Sequence, residues 1–185
     1  MSLVGFHARN RRQQTGRRGA NPDVDDRGTP LDVFTELAAR FGGFSIDVAA
    51  AEHNTKCERF YSVDDDGLAQ SWAGERVWCN PPYSDIGPWV EKAHAEADRA
   101  ELIVMLLPAN RTEQGWWQDH VEQARHEGIV RTEFLRGRIR FHKKGQTETK
   151  PNERPPFGCV LLIWQAEQSP ETIPQDALPF EEVPA

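Results

Sequence analysis

Apolar positions along the chain alternate between helical and strand spacing. Leu31, Phe34, Leu37 and Ala38 recur every three or four residues, which predicts an amphipathic helix. Thr29 is placed as its N-cap, Pro30 in its first turn and Gly42-Gly43 as its stop. Residues 44–48 alternate as a strand does, and residues 49–56 read as a short helix or turn. Residues 60–63 predict a second strand that runs into Asp64-Asp65-Asp66-Gly67. Residues 76–79 predict a third strand, leading directly into Asn80-Pro81-Pro82-Tyr83. A helix is expected from Pro88 to Arg99. Residues 102–107 are apolar without a break and closed by Pro108, the mark of a central strand covered on both faces. Residues 112–127 predict another helix, and 129–135 and 159–164 further strands. Alternation of this kind predicts an α/β fold, a mostly parallel central sheet with helices on both faces. Ligands then bind beyond the carboxyl ends of the strands, where Asp47, Asp66 and Asn80 fall.

Composition sets limits on this picture. The 185 residues suit one domain with tails. No apolar run approaches the roughly 18 residues of a membrane span, and the first 20 residues have no apolar centre of a secretory signal. Three cysteines do not suggest a disulfide scaffold, so a reducing cytoplasm is expected. The net charge of −7 is unevenly spread: residues 1–20 carry five arginines and no acid, and residues 166–185 carry five acids and no base. Residues 131–154 hold eight Lys or Arg against three Glu, where a phosphate backbone could sit. The expected organisation is a basic, disordered tail at 1–26, a body at 27–166 and an acidic, Pro-rich tail at 167–185.

Asn80-Pro81-Pro82-Tyr83 carries the chemistry. Each proline fixes its own φ and biases the preceding residue toward extended backbone, and neither offers an N–H. The turn is therefore stiff and presents acceptors. The Asn80 side-chain carbonyl and the Pro81 main-chain carbonyl converging on one point would suit an exocyclic NH₂ group. Holding both its hydrogens draws the nitrogen lone pair out of the ring π-system and makes a poor nucleophile usable. Tyr83 offers a flat face on which a base could stack, with Pro82 as the rigidifier. A rigid structural turn is the plain alternative.

At these residues the chain resembles the amino-methyltransferases that use S-adenosylmethionine, whose hallmark is (Asn/Asp/Ser)-Pro-Pro-(Tyr/Phe/Trp). Thr29-Pro30 before a helix, FSIDVAAAEHNTKCERFYS from Phe44 to Ser62, Asp66-Gly67-Leu68 with Trp72, VWCNPPYS and Trp89 are similar to the phage-type DNA N6-adenine methyltransferases, a Dam family of phages and prophages. Leu106-Leu107-Pro108-Ala109, Phe134-Leu135-x-Gly137-Arg138-Ile139-x-Phe141 and Pro155-Pro156-x-Gly158 extend the likeness over roughly residues 27–165. The resemblance implies a Rossmann-like S-adenosylmethionine-dependent methyltransferase fold. It also implies methyl transfer to the N6 amino group of adenine in DNA, S-adenosylhomocysteine as product, no metal, and a bacterial host cytoplasm. Cofactor contacts are implied at Thr29, Pro30, Asp47, Ala49, Asp64, Asp66 and Asn80. In place of the Gly-rich turn that most methyltransferases of this fold carry after the first strand, the chain reads Val48-Ala49-Ala50-Ala51.

A duplex hides its amino groups, so the target adenine must be flipped or already unpaired. Arg136, Arg138 and Arg140 alternate with Gly137, Ile139 and Phe141, which in an extended strand puts three arginines on one face. With Lys143, and Lys144 beside it, they are the expected DNA-contacting residues, and Arg111 is a second element. His53 and Cys57 lie four apart but lack a second close pair of ligands, so no metal site is expected. Rival readings are the same chemistry on cytosine N4, on RNA or on a protein amide, and a catalytically inactive DNA-binding relative. Oligomeric state and recognition sequence have no signal in the residues.

Overall fold

The computed structural model describes residues 25, 27–143, 146 and 155–165. Both expected tails, apart from Asp25, lie outside the described residues, as does Lys144. In chain order the elements are β1 (Arg27–Gly28), α1 (Leu31–Phe41), β2 (Ile46–Asp47), β3 (Arg59–Phe60), β4 (Arg76–Cys79), α2 (Gly87–Glu96) and β5 (Leu102–Pro108). There follow α3 (Gly115–Trp117), a π-helical turn (Gln118–Glu122), α4 (Gln123–His126), β6 (Arg131–Phe134), β7 (His142–Lys143) and β8 (Cys159–Gln165).

Six strands form one sheet in the order β3-β2-β4-β5-β8-β6. The pairs β2–β3, β2–β4 and β4–β5 are parallel, and only β8 runs against its neighbours. Every residue of β5 is buried. Successive strand residues point to opposite faces, so both faces of the sheet are covered, as the unbroken apolar run predicts. Phe34 of α1 sets its ring edge-on to Trp78 of β4, with centroids 5.4 Å apart, a contact worth about 0.5–1.5 kcal/mol beyond its buried area. Helix α1 thus lies on the Trp78 face. It ends where expected: Gly42 and Gly43 take φ of 74° and 93°, and the Gly43 amide returns to the Ala38 carbonyl.

Local chemistry moves some expected boundaries. Pro30, not Thr29, is the N-cap of α1, and among the described residues no side chain caps the helix and the Thr29 hydroxyl has no partner. The strand expected at 60–63 is shorter because Asp65 accepts both the Ser62 amide and hydroxyl, at 2.8 and 2.6 Å, and turns the chain. The helix expected from 112 begins at Gly115 because Gln114 is extended. Strand β6 stops at Phe134, and Gly137 has φ of 83°. The single arginine-bearing strand face expected at 136–140 is therefore replaced by a bend.

Because β2, β3, β4 and β5 are parallel, their carboxyl ends share one edge. The loops 48–58, 61–75, 80–86 and 109–114 all leave from it. A two-stranded antiparallel ribbon, Arg27 opposite Lys143 and Gly28 opposite His142, borders the same edge.

Candidate active site

The strand ends enclose a cavity of about 320 Å³ whose walls include Ala49, Asn54, Tyr61, Asp66, Asn80 and Trp89. That volume suits a small organic ligand. Beside it is a polar niche of about 20 Å³, lined by Thr29, Asp47, Lys56, Trp78 and Asn80 among others, large enough for one water-sized group.

Asn80 belongs to both spaces. Its Nδ2 donates to the Arg27 carbonyl at 3.0 Å, an acceptor that only the NH₂ end of the amide can face. The amide is thereby oriented, and its Oδ1 is buried without a partner among the described residues. A buried acceptor left unmet costs roughly 1–3 kcal/mol, so this oxygen is poised for a donor brought from outside the chain. Thr29 Oγ1 is a second buried polar atom with no partner among the described residues. Pro30 begins α1 and is not part of either wall.

Asp47 ends β2 and is 3% exposed. Its carboxylate accepts the Lys56 amide at 3.0 Å and the Ala49 amide at 3.4 Å, so it ties down the loop after β2. Burial outweighs these bonds and pushes its pKa up to about 6. A folded-state value above the unfolded value near 3.9 stabilises the fold below about pH 4, and that contribution is lost as pH rises to about 6. We expect wild-type stability to fall by on the order of 2–3 kcal/mol across that window relative to Asp47→Asn. Denaturant melts of both proteins at half-unit pH steps check this, and parallel curves would refute it.

The alanine turn after β2 is closed by its own hydrogen bonds: the Ala50 amide donates to the Tyr61 carbonyl and the Ala51 amide to Asn54 Oδ1. The close backbone approach that a glycine allows lies instead in the next loop. A Cβ on Gly67 would stand 2.2 Å from the Val48 carbonyl oxygen and 3.3 Å from the Trp89 ring, while Trp72 Nε1 donates to the Gly67 carbonyl at 3.0 Å. Asp66, at φ 52°, lines the large cavity. Asp64 is exposed and stands outside the wall.

Pro82 faces the large cavity. Pro81 and Tyr83 instead border a cleft of about 10 Å³ with Asp25, Arg27 and Phe141. Tyr83 is buried, its hydroxyl donates to the Leu106 carbonyl at 3.1 Å, and its ring meets Phe141 and Phe157 edge-on. Arg111 is half-buried, and its Nη1 donates to the Tyr83 carbonyl at 2.6 Å. Arg136 and Arg138 are exposed, Arg140 is half-buried, and Lys143 is exposed on β7.

Sequence reasoning missed Asp25, Asn54 and Tyr61 as wall residues. Tyr61 and Asn54 lay within the quoted stretch 44–62, but only the fold folds both against Asn80. Among the described residues no three His, Cys, Asp or Glu side chains gather as ligands for one ion. The Cys57 thiol is pushed up to about 12 by burial and by Asp47.

The family model described as DNA N-6-adenine-methyltransferase (Dam) matches residues 18–177. A DNA N-6-adenine-methyltransferase of Escherichia phage T1 is 38% identical over 116 residues, 60% of this chain and 48% of that protein. The chain thus spans about half the length of that relative. A protein of the same name from Haemophilus phage HP1 (strain HP1c1) is 31% identical over 136 residues, 72% of this chain and 76% of that one. Among solved structures, a candidate RNA methyltransferase of Pyrococcus horikoshii aligns with TM-score 0.50 and 12% identity, over 81% of this chain and 91% of that one. That likeness concerns the fold, which is the Rossmann-like methyltransferase architecture.

Proposed function

Because the chain belongs to the DNA N-6-adenine-methyltransferase (Dam) family, we propose that it transfers a methyl group from S-adenosylmethionine to the N6 amino group of adenine in DNA. The observation that carries this reading is the buried, partnerless Asn80 Oδ1 beside a cavity of about 320 Å³. The residues present fit the cofactor. The polar niche brings the partnerless Thr29 hydroxyl and the Asp47 carboxylate to one end, a setting for an ammonium group. Tyr61, Val63 and Asp66, which line the large cavity, suit a purine and its sugar hydroxyls, and Ala49 lines it with a small side chain. When bound, S-adenosylmethionine supplies an electrophilic methyl carbon on a cationic sulfur.

The chain's own part is to hold and activate the amino group. Asn80 Oδ1 and the Pro81 carbonyl each accept one N6 hydrogen, which localises the lone pair on nitrogen and aims it at the cavity. Most of the rate then comes from fixed position and from pre-aligned acceptors. The target base, flipped or already unpaired, enters by the cleft of Pro81, Tyr83 and Phe141. At about 10 Å³ that cleft must widen to admit it, and Tyr83 then lends its ring. Arg136, Arg138, Arg140 and Lys143 follow β6 on the same side and supply phosphate contacts. No helix among the described residues is long and apolar enough to cross a membrane, and we place the reaction in the cytoplasm of a bacterial host, on phage or prophage DNA.

The test is incubation with unmodified DNA and methyl-labelled cofactor, followed by digestion and identification of the labelled nucleoside. Label in N6-methyladenosine is the expected result. Label in N4-methylcytosine, or label accepted only from RNA or protein, would replace the substrate. No transfer despite DNA binding would make the chain an inactive relative.

A further inference from the structure

We propose that Asp25 and Arg111 are positioning residues that clamp a single peptide group, the one joining Tyr83 to Ser84, from its two ends. Arg111 Nη1 donates to the Tyr83 carbonyl at 2.6 Å. Asp25 Oδ1 accepts the Ser84 amide at 2.9 Å, and its Oδ2 accepts the Ser84 hydroxyl at 2.6 Å. Carbonyl and amide belong to the same plane. A cation sits on the negative end of its dipole and an anion on the positive end. Charge-assisted bonds are roughly twice as strong as neutral ones. Flipping this plane would set the carbonyl against the carboxylate and the N–H against the guanidinium. The pair therefore selects one orientation of the backbone that closes the Asn80-Pro81-Pro82-Tyr83 turn.

The turn needs this support from outside. Pro81 and Pro82 have no N–H to give, and the internal bond from the Asp85 amide to the Pro82 carbonyl is long, at 3.2 Å. The start of the turn is held by the same segment that carries Asp25, since the Arg27 carbonyl receives Asn80 Nδ2. The end is held by Asp25 and by the loop after β5. Both ends of the turn are thus referenced to Asp25 and Arg27. Arg111, expected from sequence as a phosphate contact, is committed to the turn.

This inference rests on the methyl-transfer reading, but one of its measurements does not. In the full chain, Asp25→Asn and Arg111→Gln are expected to lower kcat for DNA methylation 10- to 100-fold while leaving the KM for DNA within about threefold. Arg111→Lys, which keeps a cationic donor for the carbonyl where Gln offers only a neutral one, is expected to recover most of the loss. The double variant is expected to lose less than the product of the two single losses, because both act on one peptide. Ser84→Ala keeps the N–H and is expected to stay within threefold of wild type. The salt dependence of DNA binding by Arg111→Gln is expected to match wild type, whereas loss of a phosphate contact would lower the slope by about 1. Independently of catalysis, hydrogen exchange at the Ser84 amide is expected to quicken at least tenfold in Asp25→Asn. Quickened exchange in Asp25→Asn, together with a wild-type protein that methylates no adenine, would leave the clamp standing and remove the functional reading. Unchanged exchange, unchanged kcat in Arg111→Gln, or a reduced salt slope in that variant would overturn the clamp. So would a loss in Ser84→Ala as large as that in Asp25→Asn.

Discussion

The Asn80→Ala protein is expected to lose on the order of 10²–10³-fold in methyl-transfer rate while keeping its fold. The side chain makes one structural bond, from Nδ2 to the Arg27 carbonyl, and losing it costs about 1 kcal/mol, or a few degrees of melting temperature. The Oδ1 has no partner among the described residues, so its removal takes nothing further from stability. What it takes is the acceptor aimed at the substrate. The expected signature is a lost rate at saturating DNA with a nearly native circular dichroism spectrum. A rate within threefold of wild type would refute the mechanism. Asn80→Asp separates the two ends of the amide: it keeps an acceptor for the amino group but turns an anion toward the Arg27 carbonyl. An intermediate rate and a lower melting temperature are expected.

The Gly67→Ala protein is expected to suffer the larger loss of stability. The added Cβ would stand 2.2 Å from a main-chain oxygen, that of Val48, so no side-chain rotation relieves the contact. Two backbones must part, and Trp89, at 3.3 Å on the other side, resists. Forced overpacking of this kind costs about 1–3 kcal/mol, which for a chain of this size is about 3–10 °C. Val48 leads into the alanine turn and Gly67 lies beside Asp66, so the displacement widens the cavity wall as well. Binding of S-adenosylmethionine, followed by calorimetry, is expected to weaken at least tenfold. A native melting point with native affinity would show that the two loops are not in register as described.

These two positions differ in how legible they were. Asn80 announced itself, because a strand of buried residues running into two prolines leaves few conformations and few hydrogen-bond donors. The four residues of β4 were bounded correctly for the same reason. Gly67 appeared only as part of a motif. Its need to be glycine comes from a carbonyl 19 positions away, and no local pattern reports such a contact. The seven-residue β5 was legible because a strand covered on both faces has no polar position to interrupt it. The short β2 and β3 were less so, since two paired residues each give periodicity almost nothing to act on.

The charged residues show the division most clearly. A run of arginines at 136–140 reads as a strand face until Gly137 adopts φ of 83° and bends it. Arg111 reads from sequence as a second DNA-contacting element, and only the loops after β4 and β5, emerging side by side, set it on the Tyr83 carbonyl. By itself the sequence determined the order of the main helices and the strands of the central sheet, and it marked Asn80-Pro81-Pro82-Tyr83 as a stiff turn, because these depend on residues adjacent in the chain; the β1–β7 ribbon pairs residues more than a hundred positions apart and left no such mark. Tertiary structure alone decided that the amide nitrogen of Asn80 is bonded while its oxygen is left without a partner among the described residues, which glycine is indispensable and which charges hold the turn. Those are contacts between segments brought together by parallel strands ending at one edge.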